Sequence, residues 1–107
     1  MKLGKMRYRI TIESPATLND EDGFNTEVFN EFTTVWADIT PVSSKEYLSS
    51  DQTVAEVTSK IYVRYISRIN TLMRIRCGER LFNIISILQD IRLGITTILA
   101  KEADING

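Results

Sequence analysis

Histidine is absent from this chain of 107 residues, and cysteine occurs once, at Cys77. The commonest general base and zinc ligand is therefore missing. A lone thiol forms neither a zinc cluster nor an internal disulfide. With no histidine to activate it, Cys77 reads as a small buried hydrophobe suited to a reducing compartment. The five glycines are scattered rather than gathered into a phosphate-binding loop. No run of about 18 apolar residues occurs, so no membrane-spanning helix is expected. The basic start, Met1 to Arg7, lacks the apolar stretch of a signal peptide. The densest acidic run, Asp20-Glu21-Asp22, lies in polar sequence where nothing would desolvate a carboxylate for acid–base work. It also lacks the alternating acids and closing Glu of a calcium loop. The expectation is a protein without cofactor or metal, and not an enzyme.

What is present is ordinary globular material, 43% hydrophobic and 25% charged, in a length that fits a single domain over 1–107. A domain this small leaves much of its surface exposed, so partner surfaces are expected to complete its stability. The net charge of −1 conceals an asymmetry. Lys2, Lys5, Arg7 and Arg9 open the chain with no acid among them. From Glu13 to Glu56, ten acids face only Lys45. From Lys60 to Arg92, seven bases face Glu79 and Asp90. Such blocks fit either opposite charges interleaved on neighbouring strands or a two-faced subunit that stacks head to tail.

Period-two patterns dominate. Tyr8, Ile10 and Ile12 alternate with Arg9, Thr11 and Glu13, and Ser14-Pro15 is expected to end that strand. Leu18 to Asn25 reads as a polar loop with Asp22-Gly23 as its turn. Val28 to Ile39 reads as a second strand with room for a bulge. In it Val35, Ala37 and Ile39 share one face and Trp36, Asp38 and Thr40 the other, and Pro41 ends the ladder. Trp36 reads as a packing anchor, in the core or between subunits. Val57, Ser59, Ile61, Val63 and Tyr65 share one face of a third strand, and Thr58, Lys60, Tyr62 and Arg64 share the other, expected to be wet or to face a partner. Arg74–Cys77 and Arg80–Ile87 flank Gly78-Glu79 as a tight hairpin. Gln89-Asp90-Ile91-Arg92 reads as a further turn and Gly94–Ala103 as the last strand. One short helix is expected after Ser43 or Ser44, with Glu46 completing a capping box and Tyr47 and Leu48 giving a weak apolar side. At about two turns it needs tertiary support. The fold class is mainly β: a small antiparallel β-barrel or sandwich of about six strands with one short helix or long loop.

One competing reading is a small β-barrel that binds single-stranded nucleic acid. Lys60, Arg64, Arg74, Arg76 and Arg80 lie on adjacent expected strands, near Tyr62 and Tyr65. The slightly negative net charge argues against it.

Val35-Trp36-Ala37-Asp38-Ile39-Thr40-Pro41-Val42-Ser43-Ser44-Lys45-Glu46-Tyr47 resembles the central signature of the tailed-phage (siphovirus-type) head–tail adaptor, or head completion "stopper", proteins. Ala55-Glu56-Val57-Thr58 leading into Ile61-Tyr62-Val63-Arg64-Tyr65 is similar to the family's long strand. Met73-Arg74-Ile75-Arg76 and Gly78-Glu79-Arg80-Leu81-Phe82-Asn83-Ile84 are similar to its next hairpin. Leu3 to Ile12 and Asp90-Ile91-Arg92 fit as well. Family members often carry Gly-Arg where this chain has Ser44-Lys45.

The resemblance implies a ring of like subunits below the portal and adaptor, in the virion neck, assembled in the host bacterial cytoplasm. That ring retains packaged double-stranded DNA, which passes through its lumen without sequence-specific binding, and it docks the tail completion proteins. No membrane is involved. The resemblance also implies a channel-gating or oligomer-contact loop carrying Pro41, Ser43, Ser44, Lys45, Glu46, Tyr47 and Asp51. Lys5, Arg7, Asp20, Asp22 and Phe24 are the expected partner contacts.

Overall fold

The computed structural model describes residues 6–19, 21, 23, 25–42 and 57–103. They form six strands: β1 (Tyr8–Asn19), β2 (Asn25–Pro41), β3 (Ser59–Arg64), β4 (Arg74–Cys77), β5 (Arg80–Asp90) and β6 (Ile95–Glu102). Every pairing is antiparallel, and the order β1-β2-β3-β6-β5-β4 closes into a barrel. Closure depends on one short seam, in which Thr11, Ile12 and Glu13 pair with Arg76, Ile75 and Arg74. The expected short helix falls within residues 43–56 and lies outside the described residues.

Alternation fills the barrel. Ile10 and Ile12 of β1, Ala37 and Ile39 of β2, Ile61 and Val63 of β3, Ile75 of β4, Phe82 and Ile84 of β5, and Ile98 and Ala100 of β6 point inward and pack as one cluster. Full burial of side chains this size stabilises the fold by roughly 1.5–3 kcal/mol each. Inside a six-stranded barrel these side chains leave a packed core, not a channel.

Two bulges keep inward faces inward. β1 pairs Ile12 with Thr33 and then Glu13 with Glu31, leaving Phe32 as the extra residue of β2. β5 pairs Ile84 with Ala100 and then Ser86 with Leu99, leaving Ile85 over. Phe82 and Ile84 face inward before that bulge and Ile87 after it, so the run Ile84-Ile85-Ser86-Ile87-Leu88 keeps apolar residues inside despite its broken alternation.

Several boundaries differ from the sequence expectation. Ser14-Pro15 does not end β1, which continues to Asn19. Pro15 pairs with Phe29 on one side, while the other side of β1 has β4 beside it only at Thr11–Glu13. A proline without an N–H donor is tolerated on such an edge. Leu18, Asn19 and Asn25 are likewise strand, so the expected loop shortens to the turn around Gly23, whose φ is 83°. The later turn moves to Ile91–Gly94. There Asp90 Oδ1 accepts from Leu93 N at 3.0 Å, and Gly94, at φ 69°, donates to Ile91 O at 3.2 Å.

The strand directions define two mouths. At the first lie Tyr8, Pro41, Ser59, the Gly78-Glu79 turn and Glu102. At the second lie Arg64, Arg74, Asp90 and Ile95, with the 65–73 crossover closing it through buried Ile69 and Met73. Beyond the second mouth β1 and β2 pair only with each other, from Ser14↔Asn30 to Asn19↔Asn25. This two-stranded arm gives the molecule its long dimension, in extents of 50 × 27 × 25 Å.

Candidate functional site

Three surfaces stand out: the first mouth, the arm and the apolar rim of the second mouth. At the first mouth, exposed Pro41 closes β2 opposite Ser59, and Val42 N donates to Thr58 O at 3.0 Å. Residues 43–56 thus leave and re-enter at the ends of two paired neighbouring strands. Thr58 belongs to the closing frame: its backbone N donates to Ala100 O at 2.9 Å, and its Oγ1 accepts from Glu102 N at 2.8 Å. Arg7 is exposed where the chain enters β1 at the same mouth. Ser43, Ser44, Lys45, Glu46, Tyr47 and Asp51 lie outside the described residues, as do Lys5, Asp20, Asp22 and Phe24.

Trp36 is not a core residue. Val35, Ala37 and Ile39 face inward, so position 36 must face out. It is 50% exposed, with the Arg9 guanidinium 5.4 Å from its ring centroid. Arg9 and Trp36 sit opposite each other on β1 and β2, so this cation–π pair covers one face of the indole only.

The basic strip resolves mostly into cross-strand ion pairs. Arg74 Nε donates to Glu13 Oε1 at 2.7 Å, and Arg76 Nε approaches Glu13 Oε2 at 3.5 Å. Arg80 grips Glu102 through Nε at 3.0 Å and Nη2 at 2.9 Å. The hydrogen bonds from Arg80 hold the Glu102 carboxyl below its ordinary range and raise Arg80 in turn. Three of the five cations proposed for phosphate tracking are thus matched by carboxylates of neighbouring strands, which disfavours the nucleic-acid reading. Arg74 also lies 3.8 Å from the ring centroid of Phe29, which ties the root of the arm to β4.

The second mouth carries a surface the sequence reading passed over. Leu88, Ile91 and Leu93 are 58%, 73% and 59% exposed, and Tyr65 joins them through its backbone N, which donates to Gly94 O at 2.8 Å. Behind this rim a polar cluster pins strand to crossover. Thr96 Oγ1 donates to Gln89 Oε1 and accepts from Ile66 N at 3.0 Å, while Gln89 Nε2 donates to Ile66 O at 2.7 Å. The available signal was three large aliphatic residues around a turn, where polar residues are the rule. Among the described residues, no three Cys, Asp or Glu side chains come together as a metal site.

A filled barrel with a projecting arm and apolar residues held outward by its turns is a frame for assembly, with its distinctive chemistry on the outside. The chain matches the family described as phage head completion protein over residues 1–103, and it belongs to that family. Its place is in the virion, as a structural component of the phage head in association with other virion proteins. Among solved structures it is similar to protein SF1141 from Shigella flexneri 2a, at 34% identity and a TM-score of 0.83, with 99% of this chain and 100% of that one covered. A chain in the virion of a native gene transfer agent particle shares the fold at 23% identity and a TM-score of 0.62, covering 96% and 97%. A search of curated proteins by sequence found no match.

Proposed function

We propose that this protein forms the ring that completes the head–tail connector: a homo-oligomer below the portal and adaptor that retains packaged DNA and presents the docking surface for the tail. Its role is structural, not catalytic. The observation that carries this reading is the packed barrel interior. A subunit filled by Phe82, Ile61 and Ile98 has no passage of its own, so a lumen for DNA arises only between subunits. Pro41 and the segment bearing Ser43, Ser44, Lys45, Glu46, Tyr47 and Asp51 act as the channel-gating or subunit-contact loop. The barrel seams on both sides of that loop are complete without it, which leaves it available for a task other than holding the fold. Glu46 and Asp51 make the lining less attractive to phosphates, and Lys45 opposes them. Trp36, half exposed beside Arg9, packs against a neighbour. Lys5, Arg7, Asp20, Asp22 and Phe24 contribute further contacts.

The test is co-purification with the portal, adaptor and tail completion proteins from assembling particles, with imaging of the neck. The expected result is a ring containing this chain, and DNA-filled heads that lose their genomes when residues 43–53 are replaced by a short glycine–serine linker. A neck that assembles without this chain would refute the reading.

A further inference from the structure

The arm and the apolar rim have complementary surfaces, yet neither covers the other within one chain. The inner face of the barrel continues past the second mouth onto the arm as Ser14, Ala16 and Leu18 of β1 beside Asn30, Val28 and Thr26 of β2. That face has no charge, and Leu18 on it is 58% exposed. The opposite face carries Glu27 and Glu31, and the described tip carries Glu21. From Glu13 to Glu31 there is no lysine or arginine. A two-stranded hairpin is marginal in water without something against its apolar side.

The rim presents the converse. Leu88, Ile91 and Leu93 are exposed together around the β5–β6 turn. Near them, on the strand end, the crossover and the turn, stand Arg64, Arg68 and Arg92, all exposed. Among the described residues, none of these three arginines has a carboxylate within ion-pair distance, unlike Arg74, Arg76 and Arg80. An arm with acids and no base meets a rim where Arg64, Arg68 and Arg92 outnumber Asp90, each beside uncovered aliphatic side chains.

We infer that the arm of one copy docks on the β5–β6 rim of the next, with Leu18 against Ile91 and Leu93 and Glu21 at the arm's tip facing Arg64, Arg68 and Arg92. The occupant is a second copy of this chain. Because the contact joins two different surfaces, it is heterologous and repeats from copy to copy until a rotation closes it into a ring. The inference rests on the ring proposed above and names the contact that builds it. It uses neither residues 43–56 nor the first mouth, so both stay free for the channel and other partners.

Directed cross-linking tests it in the full chain, with Cys77→Ser as background. Leu18→Cys and Leu93→Cys in one chain are expected to form, on oxidation, a ladder of covalent dimers, trimers and larger species within connector particles. Each single variant is expected to give no ladder. Leu18→Asp is expected to weaken self-association about tenfold or more, as loss of an interface anchor does. Arg92→Glu should weaken it about fivefold, the scale of an exposed ion pair, with recovery when Glu21→Arg is added. Rings that form without cross-links, or that tolerate Leu18→Asp, overturn the arm contact and leave the ring reading standing. Dimers from Leu18→Cys alone, at the yield of the double variant, would mean a symmetric contact and also overturn it. Absence of this chain from connector particles overturns the ring reading, and the arm contact with it.

Discussion

Phe82 and Glu102 show how differently two paired residues of neighbouring strands are held. Phe82 is fully buried inside the barrel, so Phe82→Ala removes a ring no neighbour can replace. The expected loss is roughly 3–5 kcal/mol, measured as a shift in the urea midpoint at unchanged slope. Glu102 is bound by Arg80 at the first mouth, where solvent screens the pair, and its contribution is about 0.5 kcal/mol. Its carboxyl titrates below the ordinary range in the folded chain. The contribution is therefore complete above the unfolded carboxylate range and is lost as pH falls through the lowered folded value. Glu102→Gln should be slightly less stable than wild type near neutral pH. Titrating denaturation midpoints downward should close that gap; a gap constant to acid pH would assign the effect to something other than the ion pair. Alternation placed Ile10, Ile12, Ala37, Ile61 and Val63 inward from sequence alone and all are buried, but Tyr65, read on the same face as Val63, lies beyond the end of β3 and is exposed. Trp36 illustrates the limit of reading by residue type. Its size favours burial, but its place between two inward positions turns it outward.

At the scale of elements, the arm and the bulges decide what the strands can do. Pro15 looked like a stop because proline interrupts ladders, but a proline on the free side of an edge strand interrupts nothing. Whether a strand has one neighbour or two is a tertiary fact, and only the short β4 seam reveals it. Arg74 joins arm to barrel by binding Glu13 and stacking on Phe29. Arg74→Ala is expected to cost about 1 kcal/mol, combining a partly screened ion pair with a cation–π contact. Amide exchange should locate the effect: faster exchange at Ala16, Leu18 and Val28, with Ile61 and Ile98 unchanged. Equal acceleration throughout would mean that Arg74 supports the whole barrel rather than the arm. The Gly78-Glu79 turn, in contrast, was fully legible. Gly78 at φ 60° and Glu79 at negative φ are the pattern of a Gly-first two-residue hairpin joining Cys77 to Arg80. Space is open around a Cβ at Gly78, so Gly78→Ala carries only the backbone cost of the left-handed region, about 1–2 kcal/mol.

For the whole molecule, the single tryptophan is a built-in reporter. Trp36 is half exposed in the isolated chain, so its emission should lie toward the red of a buried indole and shift blue on incorporation into a ring, as neighbours exclude water. Emission unchanged between free chain and assembled neck would remove Trp36 from the subunit interface. The division between what sequence and structure each determined follows from the range of the forces involved. Strand identity, inward faces, tight turns and the absence of histidine chemistry are set within a few residues, by alternation, φ preference and side-chain type, and the sequence alone determined them. Closure through the Thr11–Glu13 seam, the partnering of Arg74, Arg76 and Arg80, and the gathering of Leu88, Ile91 and Leu93 beside Arg64, Arg68 and Arg92 were decided by the tertiary structure. Each depends on which strands become neighbours, and strand adjacency joins residues as far apart as Glu13 and Arg74, a separation that no local pattern encodes.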